Sequence, residues 1–487
     1  MSISDAQYQV WLESDDAYRC VLVEPVANVS SVETTFYLSN MPYANGAVLY
    51  DALLVGGSVK TSEAMSLDNG EAEYTLGMIQ VANFDGELDS WFDHVWANRS
   101  ITVYFGDVRW SKADFRTFAG TIRDIQPVDR LTIGFVMRDK LERLNYPVTE
   151  TKLGGSTNNK DELIPLCFGE PHNIRPLQTN PATLEYQIHG GAIERFTEVR
   201  DNEVPVSITG NTSTGKFILA TSPAGIVTAS IQGDKYSGTY ITKAADIVTA
   251  LTTRYGQSTN RFTSGDLDTT SLAAFNTANP QPLGLYIDSN MTVREAVKEV
   301  AASVGAQPVL TRQNKLKLLK LEVPSSGAVM AITENDIVEG SLRMTQKLPV
   351  QTSFKIGYAK NWQVQEPVDA RVTPAAKDLF AKEWLTYTAT DSTAKTLYRQ
   401  MEEPELIETL LIKETDAQSL ANHYLGLFGE IRQVWEFNAT PKVMSLNIGD
   451  AVTITADQIN GGAQTYGVVV KLDIGWVDRE IVVGVLI

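Results

Sequence analysis

A chain of 487 residues exceeds what one ordinary core holds, so three or four domains are expected. Its 43% hydrophobic and 21% charged residues suit a soluble globular protein, and no stretch reaches the roughly 20 apolar residues of a membrane-spanning helix. A formal net charge of −18 gains nothing from counterion release on nucleic acid and repels anionic membranes.

The acidic start, MSISDAQYQVWLESDD, lacks the apolar core of a secretory signal. From Tyr8 to Tyr146 the pattern is short strands cut by turns. Ser100–Phe105 runs into a turn at Gly106-Asp107, and Asp85-Gly86 marks another. Phe115, Phe118, Ile122 and Ile125 change spacing around Gly120, which predicts a bulge or bend there. Leu131, Ile133, Phe135 and Met137 alternate onto one face of a strand. Such strands argue for an antiparallel barrel or sandwich.

The run from Thr149 to Asn159 reads as a linker. Beyond it, Glu162 to Leu283 mixes strand signals with Gly- and Thr-rich turns. Its best helix spans Ile241 to Tyr255, closed by Gly256, and the polar stretch from Gly256 to Pro282 predicts a peripheral excursion. Thr292-Val-Arg-Glu295 is a capping box. The positions Val293, Ala296, Val297, Val300, Ala301 and Val304 then trace one helical face that ends at Gly305. A hairpin from Val309 to Leu321 turns at Gln313-Asn314. The segment from Leu348 to Ile487 repeats the strand-rich grammar around one helix, capped by Thr415 to Gln418, faced by Ala417, Leu420, Ala421, Tyr424, Leu425 and Phe428, and ended by Gly429. Strands follow at Trp435–Ala439, Ala451–Thr455, Val468–Leu472 and Ile481–Ile487, with a turn at Leu446–Asp450.

Chemistry-bearing patterns are sparse. Cys20 and Cys167 read as buried, inert thiols, which fits folding in a reducing cytoplasm. His94, His172, His189 and His423 form no i, i+4 pair, and His423 lies beside an apolar helix face. No Gly-x-Ser-x-Gly elbow or phosphate loop occurs. The acidic run from Asn83 to Asp89 alternates oxygens, but its glycine is misplaced for a calcium loop, so a solvated turn is expected. Trp91, Trp96, Trp110, Trp362 and Trp384 suit either a carbohydrate platform or buried and subunit contacts, and the second use is the commoner. The acidity suits plain solubility, and it also suits a protein that nucleic acid passes without sticking.

The succession Asn83–Asp89, Val103–Asp107, Phe115–Gly120 and the strand to Arg138-Asp139 resembles the first tube-like domain of bacteriophage tail hub proteins. Pro165–Pro171, Tyr186–His189 and Gly215–Leu219 resemble the insertion of siphophage-type hubs, and Ile356–Trp362 with Leu446–Asp450 resemble their second tube-like domain. The likeness lies in the order of short motifs along nearly the whole chain. It implies a mainly β fold with α+β parts: tube-like antiparallel β-barrel domains at 1–150 and 346–487, flanking a peripheral β-rich domain at 151–283 and a small α+β domain at 284–345. It further implies a homotrimeric, pseudo-sixfold ring in the virion tail, assembled in the host cytoplasm. That ring would join the tail tube to the tail tip. Implied partners are a tail tube or distal tail protein, other tail-tip, baseplate and central fibre proteins, and the tape-measure protein, while DNA passes without specific binding. Relatives with iron–sulfur cysteines or a lysozyme domain are not matched, so no catalytic, cofactor or metal residue is expected. The alternatives are a cell-wall-degrading glycosidase or peptidase and a host-surface adhesin.

Overall fold

A computed structural model describes residues 3–67, 72–365, 370–400 and 403–487. The fold is mainly β with α+β parts, as the strand pattern implies. The chain divides into two compact units, each assembled from discontinuous segments. One comprises Met1–Glu142, Val309–Pro349 and Ile431–Ile487, and the other Arg143–Pro308 and Val350–Glu430. The segment expected at 346–487 is therefore shared between the two units.

In the first unit a seven-stranded sheet carries the N-terminal block. Arg19–Val29 pairs antiparallel with Ser100–Asp107, which pairs with Arg116–Asp129, and that strand pairs in turn with Thr132–Arg138. Ile133 and Phe135 point into the core as alternation predicts, whereas Leu131 precedes the strand and is exposed. The bulge falls at Arg123, between Ile122 and Asp124, rather than at Gly120. Gly120 instead lies flat opposite Ile101, where an added Cβ would meet Leu76 Cδ2 at 2.9 Å.

The unit's other large sheet has eight strands. Its spine is Thr465–Gly475, paired along one side with Ile481–Leu486. On the other side its first half pairs with Ala451–Thr455 and its second half with Lys60–Ala64. A hairpin of the N-terminal block, Lys60–Ala64 with Glu73–Leu76, thus completes a sheet otherwise made from the C-terminal third. The junction is aromatic. Trp476 is 1% exposed and packs against Phe105 and Phe118 with ring centroids 5.0 and 4.1 Å apart, while its Nε1 donates to Thr61 Oγ1. A helix, Asp5–Leu12, also appears in the N-terminal block, where the sequence reading placed only strands. Ser4 and Gln7 form its capping box, and it buries Tyr8, Trp11 and Leu12.

The second unit holds two four-stranded sheets, a three-stranded sheet and helices. Ala244–Arg254 is the expected helix, followed by Gly256 at φ +74°, a conformation that suits glycine. Val293–Ala302 is built as its pattern dictates. Thr292 and Glu295 form the capping box, and Val293, Ala296, Val297, Val300 and Ala301 are buried. Two expectations fail here. The polar excursion between Gly256 and Pro282 contains a helix, Thr269–Ala278. Asp268 caps it, and it buries Leu272 and Phe275. The late helix begins at Glu414 behind Lys413, so Thr415 sits inside the first turn and does not cap it. Its buried face adds Leu427, while Leu425 and Phe428 are only half-buried.

Candidate functional site

A buried polar construction in the first unit surrounds Arg312, at the hairpin turn expected at Gln313-Asn314. Arg312 is 8% exposed and pairs through Nε with Glu63, itself 5% exposed, on the strand Lys60–Ala64. Its Nη1 and Nη2 donate to the carbonyls of Met444 and Leu446, at 3.1 and 2.6 Å. Its own carbonyl accepts from Ala119 N at 2.7 Å, and the Trp476 ring lies 5.7 Å from the guanidinium. One side chain thus ties a strand of the eight-stranded sheet to the turn before Ala451–Thr455, and its backbone binds the seven-stranded sheet. A planar guanidinium suits this task, since each of its three nitrogens donates to a carboxylate or carbonyl oxygen.

Asp107 makes a second node at the end of Ser100–Asp107. It is fully buried. Its carboxylate accepts from Trp11 Nε1, Tyr18 N and Arg109 N, Nε and Nη2, at 2.7 to 3.0 Å. Burial pushes its pKa up, but the hydrogen bonds from Arg109, Trp11 and Tyr18 together outweigh that, so it falls to about 2. The turn signal at Gly106-Asp107 located this residue without revealing its partners.

Both large sheets end in strands with an outer border. Arg343–Lys347 closes the eight-stranded sheet, and all five of its residues are exposed. Among the described residues it pairs only with Gln433–Asn438. Val32–Thr35 ends the seven-stranded sheet beside Arg19–Val29. The border at Ile79–Ala82 is different: Leu54 bridges Val81, and Val55 N and Ala82 N bond across, so a loop covers it.

The residues singled out from sequence do not converge on a reactive centre among those described. Asn83 accepts from Leu88 N and donates to Asp89, while Asp85 accepts from Glu87 N, so this segment is a hydrogen-bonded turn. Cys20 and Cys167 are both buried. Burial pushes the Cys20 thiol up to about 12 and holds that of Cys167 well above its usual value. His94 stacks on Phe36, and desolvation lowers the pKa of His172. His189 is 1% exposed. Its Nδ1 accepts from Cys167 N at 3.0 Å, and its Nε2 faces Asp234 Oδ1 at 3.4 Å. With Cys167 Sγ donating to the Ile188 carbonyl, the thiol and imidazole are each engaged with backbone rather than with one another. Trp91 and Trp96 are buried around Phe36 and Phe135, which uses them as core. Trp362 and Trp384 are half-buried and flank the Lys360 ammonium at 4.1 and 4.5 Å.

No protein-family profile and no curated protein matches this chain. Among solved structures it is similar to a tail protein from Neisseria meningitidis, at 10% identity and TM-score 0.40 over 96% of each chain. A second is the 43 kDa tail protein of prophage MuSo2 from Shewanella oneidensis, at 11% identity and TM-score 0.39, covering 96% of this chain and 95% of that one. A third is the prophage tail protein gp18 from Listeria monocytogenes, at 7% identity and TM-score 0.44, covering 96% and 94%.

Proposed function

We propose that this chain is a structural hub of a bacteriophage tail, a homotrimer whose tube-like segments at 1–150 and 346–487 close into a pseudo-sixfold ring. The ring joins the tail tube to the tail tip and leaves a channel for tape-measure protein and DNA. The observation that carries this reading is the exposed border strand Arg343–Lys347 on a large, mostly antiparallel sheet. An open edge is an aggregation hazard unless another strand covers it, and pairing with a second copy in a closed ring is one resolution. The order of short motifs shared with tail hubs supports the same assignment. So does the net charge of −18, since an acidic wall lets a polyanion slide. In this reading the work is mechanical, and the buried Arg312 and Asp107 nodes hold the ring-forming unit rigid.

Electron microscopy of purified virions tests the proposal directly. Three copies of the chain at the junction of tube and tip are expected. Its absence from the virion, or its presence there as isolated monomers, refutes the assignment. Zymography on peptidoglycan is expected to show no clearing, and clearing abolished by one carboxylate substitution would replace the hub reading with an enzymatic one.

A further inference from the structure

The second unit carries a cleft of about 630 Å³, within the range of small-ligand sites. We infer that this cleft binds a short neutral oligosaccharide. One wall is the loop expected to be a plain linker. It folds back as a closed turn, with Lys152 bridged to Leu163, Leu153 N bonded to the Glu162 carbonyl and Gly154 N to that of Lys160. The opposite rim is the turn before Val227. Asp201 holds it by accepting from Ala224 N and Gly225 N, and Asn202 by accepting from Ile226 N. Both rims are therefore fixed before any ligand arrives, which lowers the cost of binding.

The lining gives the ligand class. Asn158, Asn159, Gln178 and Gln363 contribute side-chain amides, each with an acceptor and two donors, the complement of vicinal hydroxyls. Two of them are held in place: Gln178 Nε2 donates to Tyr186 OH at 3.1 Å, and Asn159 Nδ2 donates to the backbone carbonyl of Gln178 at 2.8 Å. Thr157, also in the lining, has a buried hydroxyl with no hydrogen-bond partner. Ile226, 45% exposed, offers an apolar surface for a sugar ring face. Ionic groups in the lining are one guanidinium, Arg175, and one carboxylate, Glu162, so the formal charge cancels. That balance disfavours phosphorylated ligands, which need a surplus of cations. Polar atoms make the larger share of the exposed lining, which disfavours a lipid or steroid. This inference stands independently of whether the chain forms a ring.

The test is saturation-transfer NMR on the full chain with maltohexaose, cellohexaose and chitohexaose, with inorganic polyphosphate as the anionic arm. At least one neutral hexaose is expected to receive saturation and polyphosphate none. Arg175→Ala and Asn158→Ala alter exposed side chains, so both variants should keep the parental melting temperature while weakening that hexaose at least tenfold. Silence from all three hexaoses, transfer to polyphosphate in their place, or binding unchanged in both variants each overturns the assignment.

Discussion

Replacing Asp107 by Asn keeps the shape of the side chain and removes only its charge and one acceptor. Five N–H donors converge on the carboxylate, two on Oδ1 and three on Oδ2. Either orientation of an Asn amide therefore sets its NH2 against at least two donors. The magnitude follows from linkage. A pKa lowered from 3.8 to about 2 corresponds to about 2 kcal/mol favouring the folded state at neutral pH. Opposed donors bring the expected loss for Asp107→Asn to about 2–4 kcal/mol. The sign is set by the depressed folded value. The carboxylate's contribution is complete above the unfolded pKa, declines as pH falls from about 4 towards 2, and is gone below that. Amide hydrogen exchange read by mass spectrometry on peptides containing Trp11, Tyr18 and the strand Ser100–Asp107 measures the local opening energy. Parent and variant should differ by about 2–4 kcal/mol at pH 7 and by clearly less at pH 3. Equal protection at pH 7, or a gap that does not shrink on acidification, refutes the reasoning.

Arg312→Met should destabilise the first unit by about 3–5 kcal/mol, because it strands a buried Glu63 carboxylate. Adding Glu63→Leu should recover much of that loss and leave the cost of the Met444 and Leu446 carbonyls, about 1–3 kcal/mol. Urea denaturation followed by tryptophan fluorescence reads both variants, and a double variant no more stable than the single one contradicts the account. Cys20 and Cys167, both 0% exposed and with raised pKa values, should stay unreactive towards a thiol reagent at pH 8 until denaturant is added. Titration of either thiol in the native protein would show that its surroundings open.

What could be read from the sequence was what is written locally. The helix Val293–Ala302 announces itself through a capping box, an apolar stripe and a terminal glycine within 14 residues, Thr292 to Gly305, and all three act as written. The helix Thr269–Ala278 gave no comparable signal. Its buried apolar contacts are only Leu272 and Phe275, and its Asp268 cap lacks the acidic partner of a capping box. Asn276 instead supports the neighbouring helix by accepting from Ala245 N, a contact that no window of sequence contains. The cleft's first wall was missed for the same reason. A polar, Gly-rich run looks like a linker unless one knows which carbonyls its amides reach. The Arg312 node and the Trp11 and Tyr18 contacts of Asp107 belong to this class as well: residue type offered a cation and an acid, but these partners lie far away in the chain.

The same separation bears on how the first unit can form. Trp476 donates to Thr61 across 415 residues, and Arg312 pairs with Glu63 across 249. The strand Lys60–Ala64 cannot meet Thr465–Gly475 until all the residues between them have been made. Until then its hairpin presents an unpaired border to every other nascent chain. Closing so long a loop before any reward is collected makes this pairing a late and slow step. The Arg312 node lies where these distant segments meet and has its full set of partners only when Glu63, Met444 and Leu446 are all in place. The salt bridge and the two carbonyl contacts therefore lock these segments together only once each has reached its place in the unit.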